Sequence, residues 1–184
     1  MRLFIGVPVD GLRPRLEALL LDLRSSGADL RWTRPENLHL TLSFLGEVRD
    51  DAVSAVERAL AAAARGRPPF SLTLAGLGVF PSVDRPRTVW LGVSEGAETI
   101  GKLAAALRGA LASGGLAPAE GDREFAAHLT LGRLRSPAGF DALSNRLGAA
   151  GEPLALEVRR ILLYRSLPSS EGSSYSVLRE EPLG

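Results

Sequence analysis

The sequence predicts an α+β fold of two pseudo-symmetric lobes, each an antiparallel sheet with helices on its outer face, enclosing a central cleft. Three observations carry that expectation. The order strand, loop, helix, strand, strand runs twice along the chain. Each copy contains the same tetrapeptide, His-Leu-Thr-Leu, at 39–42 and again at 128–131. The chain has 184 residues, 45% of them hydrophobic, which is enough for one core, whereas each short unit could scarcely bury its own apolar face alone. A single bilobal body over 1–184 follows, with the lobe boundary near 80–95 and the chain free to cross between lobes.

The elements follow in order. Residues 3–9 form a short apolar run of strand type, cut by Pro8, and Leu12, Leu16, Leu19, Leu20 and Leu23 recur at helical spacing until Gly27 stops them. A short strand at 30–32 and a loop at 34–37 lead into 39–45, whose leucines alternate with other residues as on a half-buried strand. Asp50 or Asp51 is the candidate N-cap of a helix carrying Val53, Val56 and Leu60. Two strands, 70–79 and 88–93, flank a loop rich in proline and arginine. In the second half, Ile100, Leu103, Leu107 and Leu111 mark a helix ended by Ser113-Gly114-Gly115, and a polar stretch leads to a strand at 128–131. A short helix with Phe140, Leu143 and Leu147 follows, then strands at 154–164 and 175–178, with 166–174 reading as a mobile loop.

Composition excludes several function classes. The net charge is +1, from 22 basic and 21 acidic residues, so any electropositive surface must be local. With no cysteine there are no disulfides, thiolate metal sites or cysteine nucleophiles. No segment reaches the roughly 18 to 20 apolar residues of a membrane span, and the N-terminus lacks the pattern of a secretory signal. The expected location is the cytoplasm, and a monomer is the default.

The chain has only two histidines, and both open the repeated tetrapeptide. On a strand, His39 and Thr41 share one face while Leu40 and Leu42 share the other, and His128 and Thr130 repeat the arrangement. The leucines can anchor each strand in its lobe, so that two imidazoles and two hydroxyls converge on the cleft. That set suits in-line displacement at phosphorus. One neutral histidine takes a proton from the attacking oxygen, and a protonated one supplies the departing oxygen. An ordinary imidazole pKa of about 6.5 permits both forms near neutrality, and each transfer is worth about 10² to 10⁴ in rate. The threonines can hydrogen-bond non-bridging oxygens. Arg133 falls on the opposite face of a regular strand, unless a bulge or strand end at Gly132 re-aims it.

Blander readings stand beside this one. A lone histidine in an apolar strand is usually a satisfied core residue, but the same motif around both histidines argues against it. A metal site lacks a carboxylate within either motif, and none is expected; no cofactor is called for. Ser43 has no acidic partner in the sequence to orient it as a nucleophile.

At these residues the chain resembles the two-histidine (2H) phosphoesterase superfamily, and within it the RNA 2′,3′-cyclic phosphodiesterases, also called 2′-5′ RNA ligases. The resemblance spans essentially the whole chain. It is carried by Met1-Arg2-Leu3-Phe4-Ile5, by Pro35-Glu36-Asn37-Leu38-His39-Leu40-Thr41-Leu42 with Phe44-Leu45-Gly46-Glu47, and by Val89-Trp90-Leu91-Gly92-Val93. His128-Leu129-Thr130-Leu131-Gly132-Arg133 and the closing 175–178 complete it. The resemblance implies metal-independent hydrolysis of a terminal RNA 2′,3′-cyclic phosphate to a 2′-phosphomonoester, with reversible 2′-5′ ligation as a companion activity. It makes His39 the proton donor to the leaving 3′ oxygen and His128 the base, with Thr41, Thr130 and Arg133 on the phosphate. The pseudo-symmetry of the motifs does not itself assign the two roles. Many relatives carry lysine where this chain has Ser43, a position at the cleft if the strand is regular, and often proline where it has Ala127.

The implied partner is RNA ending in a 2′,3′-cyclic phosphate, tRNA fragments being one source, with no membrane or obligate protein partner. Phe44, Trp32 and Phe125 are candidate base-stacking surfaces. Arg31, Arg34, Arg123 and Arg135 flank the motifs and could follow an RNA backbone, with a solvated face as the alternative. Rival functions are another cyclic phosphate, a 2′-5′ oligonucleotide, or a non-catalytic RNA-end binding protein.

Overall fold

The computed structural model describes the chain except residues 120, 122, 123, 149, 150, 170 and 171. Strand β1 (Arg2–Pro8) is followed by helix α1 (Arg13–Arg24), which has a proline in its first turn, where a missing N–H costs nothing. Next come β2 (Leu30–Trp32), β3 (His39–Glu47), α2 (Val53–Ala64), β4 (Phe70–Phe80), β5 (Thr88–Glu95) and α3 (Ala97–Ser113). The second motif opens β6 (His128–Leu134), and α4 (Phe140–Ser144), β7 (Leu154–Val158), β8 (Arg160–Ser169) and β9 (Gly172–Pro182) complete the chain. No helix among the described residues is long and apolar enough to cross a membrane.

The nine strands of the described residues belong to one antiparallel sheet in the order β7-β4-β5-β6-β3-β1-β8-β9, with β2 added beside β6. Each motif strand ends one lobe: β3-β1-β8-β9 on one side, β6-β5-β4-β7 on the other. The two expected lobes are present, each an antiparallel sheet, and they join edge to edge through a single rung, Leu40 opposite Leu129. The fold also exchanges strands. β4 follows the first motif but pairs with β5 in the second lobe, and β8 follows the second motif but pairs with β1 in the first.

The helices cover the face opposite the cleft. One apolar core runs through both lobes, joining Leu16, Leu20 and Leu23 of α1 to Ile5, Leu40, Leu129, Leu131 and the inner residues of α2 and α3. At about 25 cal/mol per Å² of apolar surface removed from water, a core this continuous dominates stability. A second small cluster of Phe4, Leu162 and Tyr164, flanked by Phe44 and Tyr175, lies apart from it. β1 is therefore buried on both faces, Leu3, Ile5 and Val7 inward and Phe4 toward this second cluster.

Several expectations change. α2 has Ala52 as its N-cap, preceded by a 3-10 turn at Asp50–Ala52, and no side chain caps it. The Asp51 carboxylate is instead held by Arg49, at 2.6 and 3.0 Å. The loop at 34–37 contains a 3-10 turn, Pro35–Asn37, and α4 stops at Ser144, short of Leu147. The apolar run 154–164 is two strands, because Arg159 breaks it where the chain leaves β4 for β1. The segment 166–174, expected as a mobile loop, is mostly hairpin: Ser166 faces Tyr175 and Ser169 faces Gly172. Its serines satisfy ladder hydrogen bonds as well as turns, so composition misread it.

Candidate active site

Both histidines are fixed by the same local device. The carbonyl two residues upstream accepts the Nδ1 proton, Asn37 O for His39 and Ala126 O for His128, at 2.7 Å in each case. A carbonyl can only accept, so Nδ1 carries the proton in both rings, and Nε2 is the nitrogen left for chemistry. In His39, the Thr41 hydroxyl donates to that Nε2 at 3.0 Å when the ring is neutral.

The single rung between the lobes sets the geometry. With Leu40 opposite Leu129, His39 falls opposite Thr130, and Thr41 opposite His128, all four on the face away from the leucines. His39 and His128 become diagonal neighbours, about 7 to 8 Å apart between Cα atoms on a regular ladder. A cavity of about 410 Å³ opens there, lined by His39, Thr41, Thr130, Arg133, Phe44 and Tyr175, with Arg2, Phe4, Thr33, Asn37, Ser166 and Ser173 completing the wall. His128 is not among the lining side chains; it stands one register step away beside Thr41. A smaller cavity of about 220 Å³, between Val7–Leu12 and Ala155–Arg160, holds neither histidine.

Two bulges decide which neighbours reach the cavity. On β6, Val89 faces Gly132 but Trp90 faces Thr130, so Leu131 is an extra residue. That insertion restores the parity between His128 and Arg133 and turns the guanidinium to the cavity side. Arg133 Nη1 donates to Thr88 Oγ1 at 3.5 Å. On β3, Ile5 faces Ser43 but Gly6 faces Thr41, so Leu42 is extra. The effect there is opposite. Ser43 is turned into the core, 3% exposed, with its hydroxyl unpartnered among the described residues. The expectation of Ser43 as a substrate contact is corrected: it does not reach the cleft, because the strand is not regular.

Other candidates divide. Phe44 lines the cavity, with Arg2 Cζ 5.1 Å from its ring centroid. Trp32 and Phe125 pack against the main core and do not line the cavity, which corrects their reading as stacking surfaces. Arg34 sits on an exposed turn outside the cavity lining. Arg123 lies outside the described residues. Among the described residues, no three His, Cys, Asp or Glu side chains gather as a metal site would need.

Sequence reasoning missed the aromatic surroundings. The His39 ring stacks on Phe4 at 4.6 Å and meets Tyr175 edge-on at 5.4 Å, with Tyr164 at 5.7 Å. Gly6 makes room for this, since a Cβ there would lie 2.8 Å from Leu40 O and 3.2 Å from the His39 ring. The Phe80 ring meets His128 edge-on at 4.9 Å, with Trp90 farther off at 6.4 Å. Phe4 was visible in the sequence beside Gly6, but nothing local placed Tyr164 or Tyr175 beside His39.

These surroundings set the charge states. Burial pushes the His39 imidazole down to about 4, against its bond to Asn37 O, and the nearby His128 charge lowers it further. His128 is also lowered, by burial first and then by the Arg133 charge. Burial holds the Tyr175 hydroxyl above its ordinary value, while Arg133 and Arg2 pull it the other way, so both guanidiniums bear on that oxygen.

Comparison with known proteins gives a consistent result. The model of the LigT-like phosphoesterase family matches twice, over residues 6–90 and 91–175. The chain is 34% identical to a Methanothermobacter thermautotrophicus protein named RNA 2′,3′-cyclic phosphodiesterase, over 96% of this chain and 95% of that one. A protein of the same name from Archaeoglobus fulgidus is 35% identical, over 97% and 98%. Among solved structures, TT0787 of Thermus thermophilus superposes with a TM-score of 0.84 at 29% identity, covering 100% of this chain and 98% of that one. Escherichia coli LigT complexed with 3′-AMP superposes with a TM-score of 0.76 at 30% identity, covering 99% and 96%.

Proposed function

The chain belongs to the LigT-like phosphoesterase family, and from that premise we propose that it hydrolyses RNA 2′,3′-cyclic phosphate ends to 2′-phosphomonoesters with a two-histidine acid–base pair. The observation that carries the reading is that both histidines present Nε2 beside the one rung joining the lobes, each with Nδ1 locked on a carbonyl.

In the mechanism, neutral His128 Nε2 takes a proton from water as the water oxygen attacks phosphorus. The bond from phosphorus to O3′ breaks, and protonated His39 Nε2 delivers its proton to that oxygen. Thr41 and Thr130 donate to the non-bridging oxygens, and the Arg133 fork binds the same anion. A phosphodiester anion between the rings opposes the effect of burial, because a nearby negative charge favours imidazolium. Binding therefore prepares the acid that the free protein disfavours. The assignment of donor and acceptor follows the family pattern; every group comes from one chain, and the expected location is the cytoplasm.

The test is incubation with an oligoribonucleotide ending in 2′,3′-cyclic phosphate, with EDTA present, and identification of the product ester. A 2′-monophosphate is expected. A 3′-monophosphate would reassign the leaving oxygen, and binding without turnover would make this an RNA-end binding protein.

A further inference from the structure

β2 lies against β6 with Arg31 directly opposite Arg133. Opposed residues of an antiparallel pair share a face, and like charges in that position destabilise a sheet. The neighbouring rung carries leucines, Leu30 opposite Leu134, both turned toward the core. On the following step Arg135 N donates to Asp29 O at 2.9 Å, which sets that arginine beside an acidic residue. The uncompensated rung is thus Arg31–Arg133. Both side chains are exposed, and no carboxylate among the described residues pairs with either.

Position separates the two. Arg133 lines the cavity with Thr130, whereas Arg31 does not; Thr33, just past the end of β2, does. Arg31 therefore stands just beyond the mouth, one strand spacing from Arg133. Two adjacent guanidiniums, one inside the site and one outside it, fit a ligand whose negative charge continues past the reacting group.

We infer that Arg31 takes the phosphodiester on the 5′ side of the cyclic phosphate held by Arg133, and so is the residue that sets a preference for oligonucleotide ends over mononucleoside cyclic phosphates. This rests on the function proposed above and extends it. A mononucleoside cyclic phosphate occupies Arg133 alone and leaves the like-charge rung half neutralised; an oligonucleotide neutralises both positions.

The experiment compares kcat/KM for a mononucleoside 2′,3′-cyclic phosphate and for a short oligoribonucleotide with the same terminal residue, in the natural chain and in Arg31→Gln, across a salt series. The natural chain should prefer the oligonucleotide. Arg31→Gln should reduce that preference about tenfold, as expected for one lost charge-assisted contact. It should also flatten the log–log salt dependence for the oligonucleotide by about 0.7. Without RNA the variant should melt at a higher temperature, because the opposed charge is gone. An unchanged preference overturns the inference. So does an equal loss on both substrates, which would put Arg31 on the reacting phosphate. If neither ligand is turned over, the proposed hydrolysis fails, and titrating the same two ligands by calorimetry still decides the inference: it stands only if Arg31→Gln weakens the oligonucleotide selectively.

Discussion

The two walls of the cleft carry the same tetrapeptide in different surroundings. His39 is stacked on Phe4, meets Tyr175 edge-on and accepts from Thr41, whereas His128 has Phe80 edge-on and Trp90 at a distance. Its carbonyl anchor is the same, so duplication preserved the orientation of each ring while the neighbours diverged. The difference shows in charge: the imidazole in the fuller aromatic box is pushed down to about 4, and its counterpart is lowered with Arg133 contributing. In the free protein this difference opposes His39 as a proton donor, so under the proposed roles the bound phosphate anion has to raise that imidazole.

The largest expected effect breaks the comparison outright. His39→Ala and His128→Ala should each lower kcat by about 10² to 10⁴, and the double variant by far less than the product, because the pair acts as a unit. Steady-state turnover of the cyclic-phosphate oligonucleotide measures this; near-natural activity in either variant would remove that histidine from the chemistry.

Next comes pH. The folded protein holds His39 at about 4 against about 6.5 in the unfolded chain, so between those values the unfolded chain binds more protons. Stability is therefore fully present above pH 6.5 and is lost as pH falls toward 4, by about 3 kcal/mol. Denaturant titrations along that range should show the slope, and His39→Gln should flatten it. In catalysis, kcat/KM reports the free enzyme, where both imidazoles are lowered, so its optimum should lie below pH 6.5 and decline above it. The kcat profile, measured on the complex, should lie at higher pH.

Sharper still is a change in one wall only. Tyr175→Ser opens the box around His39 and should raise that ring's pKa while leaving His128 close to its former value, as read by NMR titration of the two imidazoles. Equal movement of both would mean that the asymmetry comes from coupling between them and not from burial.

The smallest effect concerns the hairpin that closes the box. Asn37 Nδ2 donates to Ser173 O at 2.7 Å, while the same residue's carbonyl orients His39. Asn37→Ala removes the tie to the hairpin and keeps the carbonyl. It should cost about 1 kcal/mol of stability and only a few-fold in turnover, measured by thermal melting and initial rates.

Much of this was legible in the sequence, for physical reasons that also mark where legibility ended. Alternation and helical spacing report burial directly, so 39–45 and 128–131 were visible as strands, which the structure extends to Glu47 and Leu134, and their histidines as a matched pair. The bulges at Leu42 and Leu131 were not, because an extra residue in a ladder has no composition of its own; only its partner strand reveals it. Ser43 and Arg133 therefore exchanged faces, Ser43 leaving the cleft side for the core and Arg133 turning to the cavity. Tyr164 and Tyr175 reach His39 through β8 crossing to the first lobe, a long-range pairing that no local pattern encodes. The break at Arg159 was hidden similarly, since two consecutive buried strands read as one apolar run.

The rung at Leu40 and Leu129 has a mechanical consequence. His39 and His128 ride on adjacent members of one continuous β-sheet, so the span between them is a lattice spacing of that sheet and not the product of two bodies swinging together. If these two rings do the chemistry, no closure step is needed to bring them together, and thickening the solvent with a viscogen should leave the chemical step's rate constant where it was.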